Sequence, residues 1–266
     1  MTTKISKSSK PSNFIVMTIA AIGEGGKLND TLTSTGKAFA TMRGYNYTGK
    51  RKEEQTHPSM FFDVKAYSKD DTISPFVQEV ADIAKGEKVT VKGRFGFRQW
   101  VSQSGIQKEA LEIIASSVEE YDPKAEGARP SNFAMLTLKA HVKEDDVPMS
   151  FTQGGKAMAK VRAHLSMGKD GNGEYRPSFW VNVLHVSKDE NPDEVINAIS
   201  NLEKGDYFTV KGTLVREEWT GKDADGNEVP RHSYSIWANS IEPFYWDDAP
   251  AGRQGEPLED LEGEPA

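Results

Sequence analysis

The sequence predicts an all-β-dominated chain: one five-stranded barrel, with a single helix between its third and fourth strands, written twice and followed by a disordered acidic tail. Three observations predict it: an internal repeat, period-two alternation in the strand segments, and a helix-opening signal at the same place in each copy. Pro11-Ser12-Asn13-Phe14 returns as Pro130-Ser131-Asn132-Phe133, an offset of 119. That offset also aligns Gly36-Lys37-Ala38 with Gly155-Lys156-Ala157, Ser68-Lys69-Asp70 with Ser187-Lys188-Asp189, Val91-Lys92-Gly93 with Val210-Lys211-Gly212, and Trp100 with Trp219. The 90 positions from 11 to 100 hold 27 identities without a gap, and the second copy then runs four residues longer. Two copies are too few for a solenoid, which needs three or more. The expected organisation is a flexible N-terminus (1–10), a first domain (11–121), a polar linker (122–129), a second domain (130–246) and the tail (247–266).

Each element follows in order. Residues 13–21 are apolar and strand-like, and the glycine cluster Gly23–Gly26 reads as a turn. Residues 37–47 alternate, with Ala38, Ala40 and Met42 on one side and Phe39, Arg43, Tyr45 and Tyr47 on the other, as a half-buried strand would. Residues 60–67 make a third strand. A helix then opens at Ser74-Pro75, and at Asn191-Pro192 in the second copy, each a polar cap followed by Pro at the first position. Phe76, Val80 and Ile83, matched by Val195, Ile199 and Leu202, give it one apolar face. Residues 88–100 and 107–118 form a hairpin across Ser104-Gly105. Strand, strand, strand, helix, hairpin is the order of the oligonucleotide/oligosaccharide-binding (OB) fold.

On the strand faces opposite the expected core, aromatic and basic residues interleave. The first copy presents Phe39, Arg43, Tyr45 and Tyr47, then Phe61, Lys65 and Tyr67, then Arg94, Arg98 and Trp100, with Lys50 and Arg51 in a connecting loop. Exposed bases of a single strand stack on flat rings, and phosphates need cations; each stacked base contributes ~1–3 kcal/mol. Several of these rings, Phe39 above all, equally fit a place in the barrel core. The second copy keeps Lys160, Arg162, Trp180 and Trp219, but Val186 stands for Tyr67, Leu184 for Lys65 and Glu217 for Arg98. That pattern fits either a weaker binding domain or one given over to assembly.

The motif from Gly86 to Arg94, with Phe97-Arg98-Gln99-Trp100 and Ser102-Gln103-Ser104-Gly105, resembles the fourth-strand hairpin of bacterial-type single-stranded DNA-binding proteins. Phe61-Phe62-Asp63-Val64-Lys65-Ala66-Tyr67 resembles that family's third strand. The resemblance implies non-sequence-specific binding of single-stranded DNA in replication, recombination or repair. It implies base stacking on Phe61, Tyr67 and Trp100, with Trp180 and Trp219 as second-copy counterparts. The family usually assembles four such barrels, so a chain with two is expected to form a homodimer. The family's disordered acidic C-terminus recruits genome-maintenance proteins through a terminal Pro-Phe, whereas this chain ends Glu264-Pro265-Ala266. A scaffold module that recruits replication proteins, or an RNA binder, remains the alternative.

Composition bounds the rest. The net charge is −7, but the last twenty residues hold seven acids and one Arg, which is −6. Residues 1–122 carry 17 Lys/Arg against 15 acids (+2) and residues 123–246 carry 15 against 18 (−3), so the body is near neutral. The absence of cysteine excludes disulfides, thiolate metal sites and a cysteine nucleophile. The five histidines, His57, His141, His164, His185 and His232, are scattered without metal-ligand spacing. No catalytic group, metal or cofactor is expected. With no apolar run long enough for a membrane span and no secretory signal, the expectation is a cytoplasmic protein, on the nucleoid or in a host cell if viral.

Overall fold

In a computed structural model the described residues are 11–48, 59–143, 149–222 and 226–245. Lys50, Arg51, the N-terminal ten residues and the acidic tail lie outside them. The chain divides into two compact units, one built on Phe14–Phe133 and the other on Ala134–Ser166 with the described residues between 179 and 245.

The first unit contains β1 (Asn13–Leu28), β2 (Phe39–Asn46), β3 (Phe61–Tyr67), α1 (Pro75–Ala81), β4 (Lys88–Val101) and β5 (Gln107–Glu120). β1 pairs with both β2 and β4, β2 with β3, β4 with β5, and β3 runs parallel to β5. These pairings close a ring, and closure removes the unpaired edges an open sheet would leave. Alternation puts Ile15, Met17, Ile19, Met42, Phe62, Val64, Phe95 and Ile113 inside, each at most 2% exposed. Burying one such side chain contributes roughly 1.5–3 kcal/mol, so the barrel interior is the main source of stability. α1 covers one end: Ser74 caps it, accepting from Val77 N–H at 3.3 Å, and Val77 and Val80 are buried.

The second unit repeats this order with β6 (Asn132–Ala140), β8 (Ala157–Leu165), β9 (Phe179–Val186), α2 (Glu194–Ser200), β10 (Tyr207–Lys222) and β11 (Glu228–Pro243), adding a short β7 (Met149–Phe151) before β8. Its ring closes through β6–β8, β8–β9, a parallel β9–β11 pair, β11–β10 and β10–β6. The repeated Val-Lys-Gly motif acquires a reason here. Each hairpin slips register at that point, between Lys92 and Gly93 and between Lys211 and Gly212. A Cβ on Gly93 would collide with the Ile114 carbonyl, and one on Gly212 with the Trp237 carbonyl. A bulge bends a strand as a closing barrel needs, and glycine lets the partner backbone approach.

Three expectations are corrected. The Gly23–Gly26 cluster is no turn: β1 continues to Leu28, and its pairing with β2 shifts register between Ala21 and Gly26. The strand there passes under α1, where a Cβ on Gly26 would strike the Val80 carbonyl. α2 is capped by Asp193, whose carboxylate accepts from Val195 and Ile196 N–H, two residues beyond the expected Asn191. The buried helix residues are Val77, Val80, Ile196 and Ile199, so Phe76, Val195 and Leu202 flank the buried stripe instead of centring it. Among the described residues no helix is long and apolar enough to cross a membrane.

Candidate nucleic-acid interface

In the first unit β2, β3, β5 and β4 lie side by side, and their alternate residues share one outer face. Register places Phe39 opposite Tyr67, Thr41 opposite Lys65, Arg43 opposite Asp63 and Tyr45 opposite Phe61. Asp63 pairs with Glu112 and Lys65 with Ile114 across β3–β5, while Gly96 pairs with Glu112 and Trp100 with Lys108 across β4–β5. The face therefore carries rings at its margins and charges at its centre.

Phe39 does not enter the core: it is half-buried and stacks on Tyr67, ring centroids 5.7 Å apart and 23° from parallel. Phe61 is 45% and Trp100 39% exposed. The Arg98 guanidinium lies 4.8 Å over the Trp100 ring, a cation–π contact that orients both. Two acids that attract no notice in the sequence organise the cations. Glu112 Oε1 accepts from Arg98 Nε and from Lys65 Nζ, each at 2.9 Å. Asp63 accepts from Arg98 Nη2 at 3.4 Å and lies 3.8 Å from Arg43 Nε. Three cations and two acids leave the centre at +1, with the basic groups held across the sheet. Arg94 is exposed at the edge of this face. Tyr47 stands apart: its ring meets Tyr121 at 5.8 Å, with Lys88 Nζ 5.3 Å from its centroid.

The second unit builds the matching face differently. Register places Lys160 opposite Leu184, Arg162 opposite Asn182 and His164 opposite Trp180. Arg162 lies 4.8 Å over Trp180, repeating the Arg98–Trp100 arrangement on other strands. His164 and His141, far apart in the sequence, converge on the same indole, at 4.8 Å and 5.3 Å. Burial first, then the Lys139 and His141 charges, hold the His164 imidazole below the usual histidine value. Its Nδ1 is buried without a hydrogen-bond partner. Glu217 occupies Arg98's place and accepts from Ser235 Oγ at 3.0 Å and Ser233 Oγ at 3.5 Å. Trp219 is 48% exposed at the hairpin end. Sequence reasoning passed over Trp237, 39% exposed on β11, although it falls at the position of Ile114 once the four extra residues are counted.

Behind this face His185 ties α2 to the sheet, with Nδ1 2.7 Å from the Ala238 carbonyl oxygen and Nε2 2.8 Å from Asp193 Oδ2. Burial alone would raise the Asp193 carboxyl, but the Ile196 amide, His185 and the Val195 amide together hold it below its ordinary range.

No family model matches the chain. Over 172 residues it is 26% identical to a single-stranded DNA-binding protein of Deinococcus radiodurans, a match covering 62% of this chain and 54% of that protein. The chain thus spans about half the length of the curated relative it matches. Its fold is similar to that of the single-stranded DNA binding protein from Thermus aquaticus. A deletion mutant of that protein gives a TM-score of 0.52 at 17% identity, covering 92% of this chain and all of the other. The wild-type structure gives 0.50 at 18% identity, covering 91% and 98%. The resemblance read from the third strand and the fourth-strand hairpin is thus matched in both sequence and fold.

Proposed function

We propose that this chain, similar to bacterial single-stranded DNA-binding proteins, binds single-stranded DNA with little sequence specificity and acts in DNA replication, recombination or repair. The observation that carries this reading is the outer face of the first unit. Phe39, Tyr67, Phe61 and Trp100 offer rings for bases, while Arg43, Lys65 and Arg98 are pre-positioned for phosphates. Stacking accepts every base, which supports binding with little sequence specificity. The protein works by holding a strand, without a chemical step. Its place of action is the cytoplasm.

Two chains associate as a homodimer, bringing four barrels together, and a closed two-fold pair is the commonest homo-oligomer. Light scattering returning a monomeric mass would remove this part. The −6 segment at 247–266 serves as an electrostatic competitor or a handle for genome-maintenance partners. Its deletion would tighten DNA binding at low salt only.

The test of the main reading is a titration with oligo-dT, duplex DNA and RNA at one fixed salt, followed by tryptophan quenching. Quenching by oligo-dT ahead of duplex and RNA supports it. No quenching at low salt refutes it in favour of a protein-recruiting scaffold, and a preference for RNA replaces the substrate.

A further inference from the structure

Four of the five tryptophans lie among the described residues, and all four stand on outer faces at 39–48% exposure. None fills a barrel, where Phe, Ile, Val, Leu, Met and Ala do the packing. Three of the four, Trp180, Trp219 and Trp237, belong to the second unit. Three rings exposed to this extent on one sheet face, beside lysine and arginine side chains, are the arrangement that base stacking calls for.

Trp237 is in register with Leu184 on β9 and with Thr213 on β10. Leu184 in turn faces Lys160 on β8. Val186, which stands where the first unit has Tyr67, lies one pleat along β9 from Leu184. The ring missing from β9 is therefore matched by a ring gained on the neighbouring strand, β11, within the same corner of the face. The cations keep pace: Lys160 and Arg162 on β8, and Arg231 opposite Trp219.

We propose that Trp237 is a base-stacking residue of the second unit, replacing from β11 the ring that Val186 removes from β9. The second unit thereby keeps three base seats, Trp180, Trp219 and Trp237, and holds single-stranded DNA directly. The inference rests on the reading of the chain as a single-stranded DNA binder. It moves one seat from the third strand of the barrel to the fifth, where Trp237 lies in register with Leu184 and Thr213.

The experiment compares the full chain with W237A, W237F and the double variant V186Y/W237A, using fluorescently labelled oligo-dT and anisotropy at one low salt. W237A weakens binding about five- to 150-fold, the range that a lost stacked base implies. W237F retains most of the affinity, and V186Y restores part of it in the W237A background. Photo-crosslinking of an oligonucleotide bearing 5-iododeoxyuridine recovers the peptide containing Trp237. Far-ultraviolet circular dichroism and melting confirm that the variants fold, and the crosslink on the parent chain carries the test if W237A does not, its absence from the Trp237 peptide overturning the inference. W237A binding within twofold of a parent that does bind overturns the inference and leaves the proposed function standing. A parent that fails to bind oligo-dT overturns the proposed function itself.

Discussion

Arg98 and Glu112, on adjacent strands of the first barrel, are joined by a 2.9 Å bond from Nε to Oε1 while the guanidinium covers Trp100 at 4.8 Å. An acid at the centre of a face proposed to hold phosphates looks self-defeating by charge alone. Its use is positional: Arg98 has 51% of its side chain in solvent and would sample many rotamers without a partner. An exposed pair of this kind contributes little to stability, so on the proposed function its value lies in holding the cation where a strand would pass.

Arg98→Ala should therefore be the most damaging single removal of a cation from this face. It strips Trp100 of its cation and leaves Glu112 and Asp63 facing the strand with Arg43 and Lys65 alone. The expected loss is roughly 1.5–3 kcal/mol, the scale of a charge-assisted contact, with the slope of log K against log salt smaller by about one. Arg43→Ala, whose nearest acid lies at 3.8 Å, should cost less. Equal losses in a salt titration would show that the network does no positioning.

Glu217→Gln should tighten binding. Glu217 stands at Arg98's place in the second barrel and is held there by Ser233 and Ser235, which the amide oxygen can still accept from. Removing one negative charge from the face gains a few tenths to about 1 kcal/mol at low salt, fading as screening increases. Unchanged affinity at low salt would mean that no phosphate passes near Glu217.

How much of this was legible in the sequence depends on what each residue interacts with. The repeat was plain because ninety positions align without a gap, and period two sends Phe39, Arg43 and Tyr45 outward together. Glu112 was not legible, because its partners Lys65 and Arg98 reach it through pairings of β3 and β4 with β5 that no local pattern announces. Asp193 could have been found: the offset of 119 lands on it from Ser74, but Asn191-Pro192 is the more conspicuous cap. Trp237 escaped because the offset changes after Trp219, so its match to Ile114 needs the four extra residues counted first. His141 and His164 looked scattered because only the packing of Trp180 between them joins the two.

Trp100→Ala should weaken binding more than Trp219→Ala. Both rings lie at hairpin ends and both are exposed, but Arg98 lies over the first, whereas Glu217 takes that arginine's place in the second barrel. A base on Trp100 therefore has a cation beside it for the adjoining phosphate. The difference should fall within the ~1–3 kcal/mol that one stacked base contributes. Equal losses by anisotropy would refute the asymmetry between the barrels.

Gly26→Ala should destabilise the first barrel without touching the binding face. The added methyl meets the Val80 carbonyl of α1, and backbone cannot swing aside as a side chain could. Overpacking of this kind costs roughly 1–3 kcal/mol. Denaturant melts that leave the midpoint unmoved would contradict the close approach of β1 and α1.

His164→Tyr should flatten the acid side of the stability profile. The imidazole is neutral in the folded chain because it is buried and faces Lys139 and His141, with Arg162 on the same strand and the Trp180 ring between the histidines. Its folded value lies below that of the unfolded chain, about 6.5. Between those two values the unfolded chain binds more protons, so stability is complete above about 6.5 and falls as pH drops through the folded value. Asp193 follows the same sign in a lower window, starting near the ordinary aspartate value of 3.8. Tyrosine is what the first barrel carries at this position, as Tyr45, and it does not titrate in acid. Thermal melts from pH 7.5 to 5 should show the parent losing stability below pH 6.5 faster than the variant. Parallel curves over that range would mean that His164 gains its proton as easily in the folded chain as in the unfolded one.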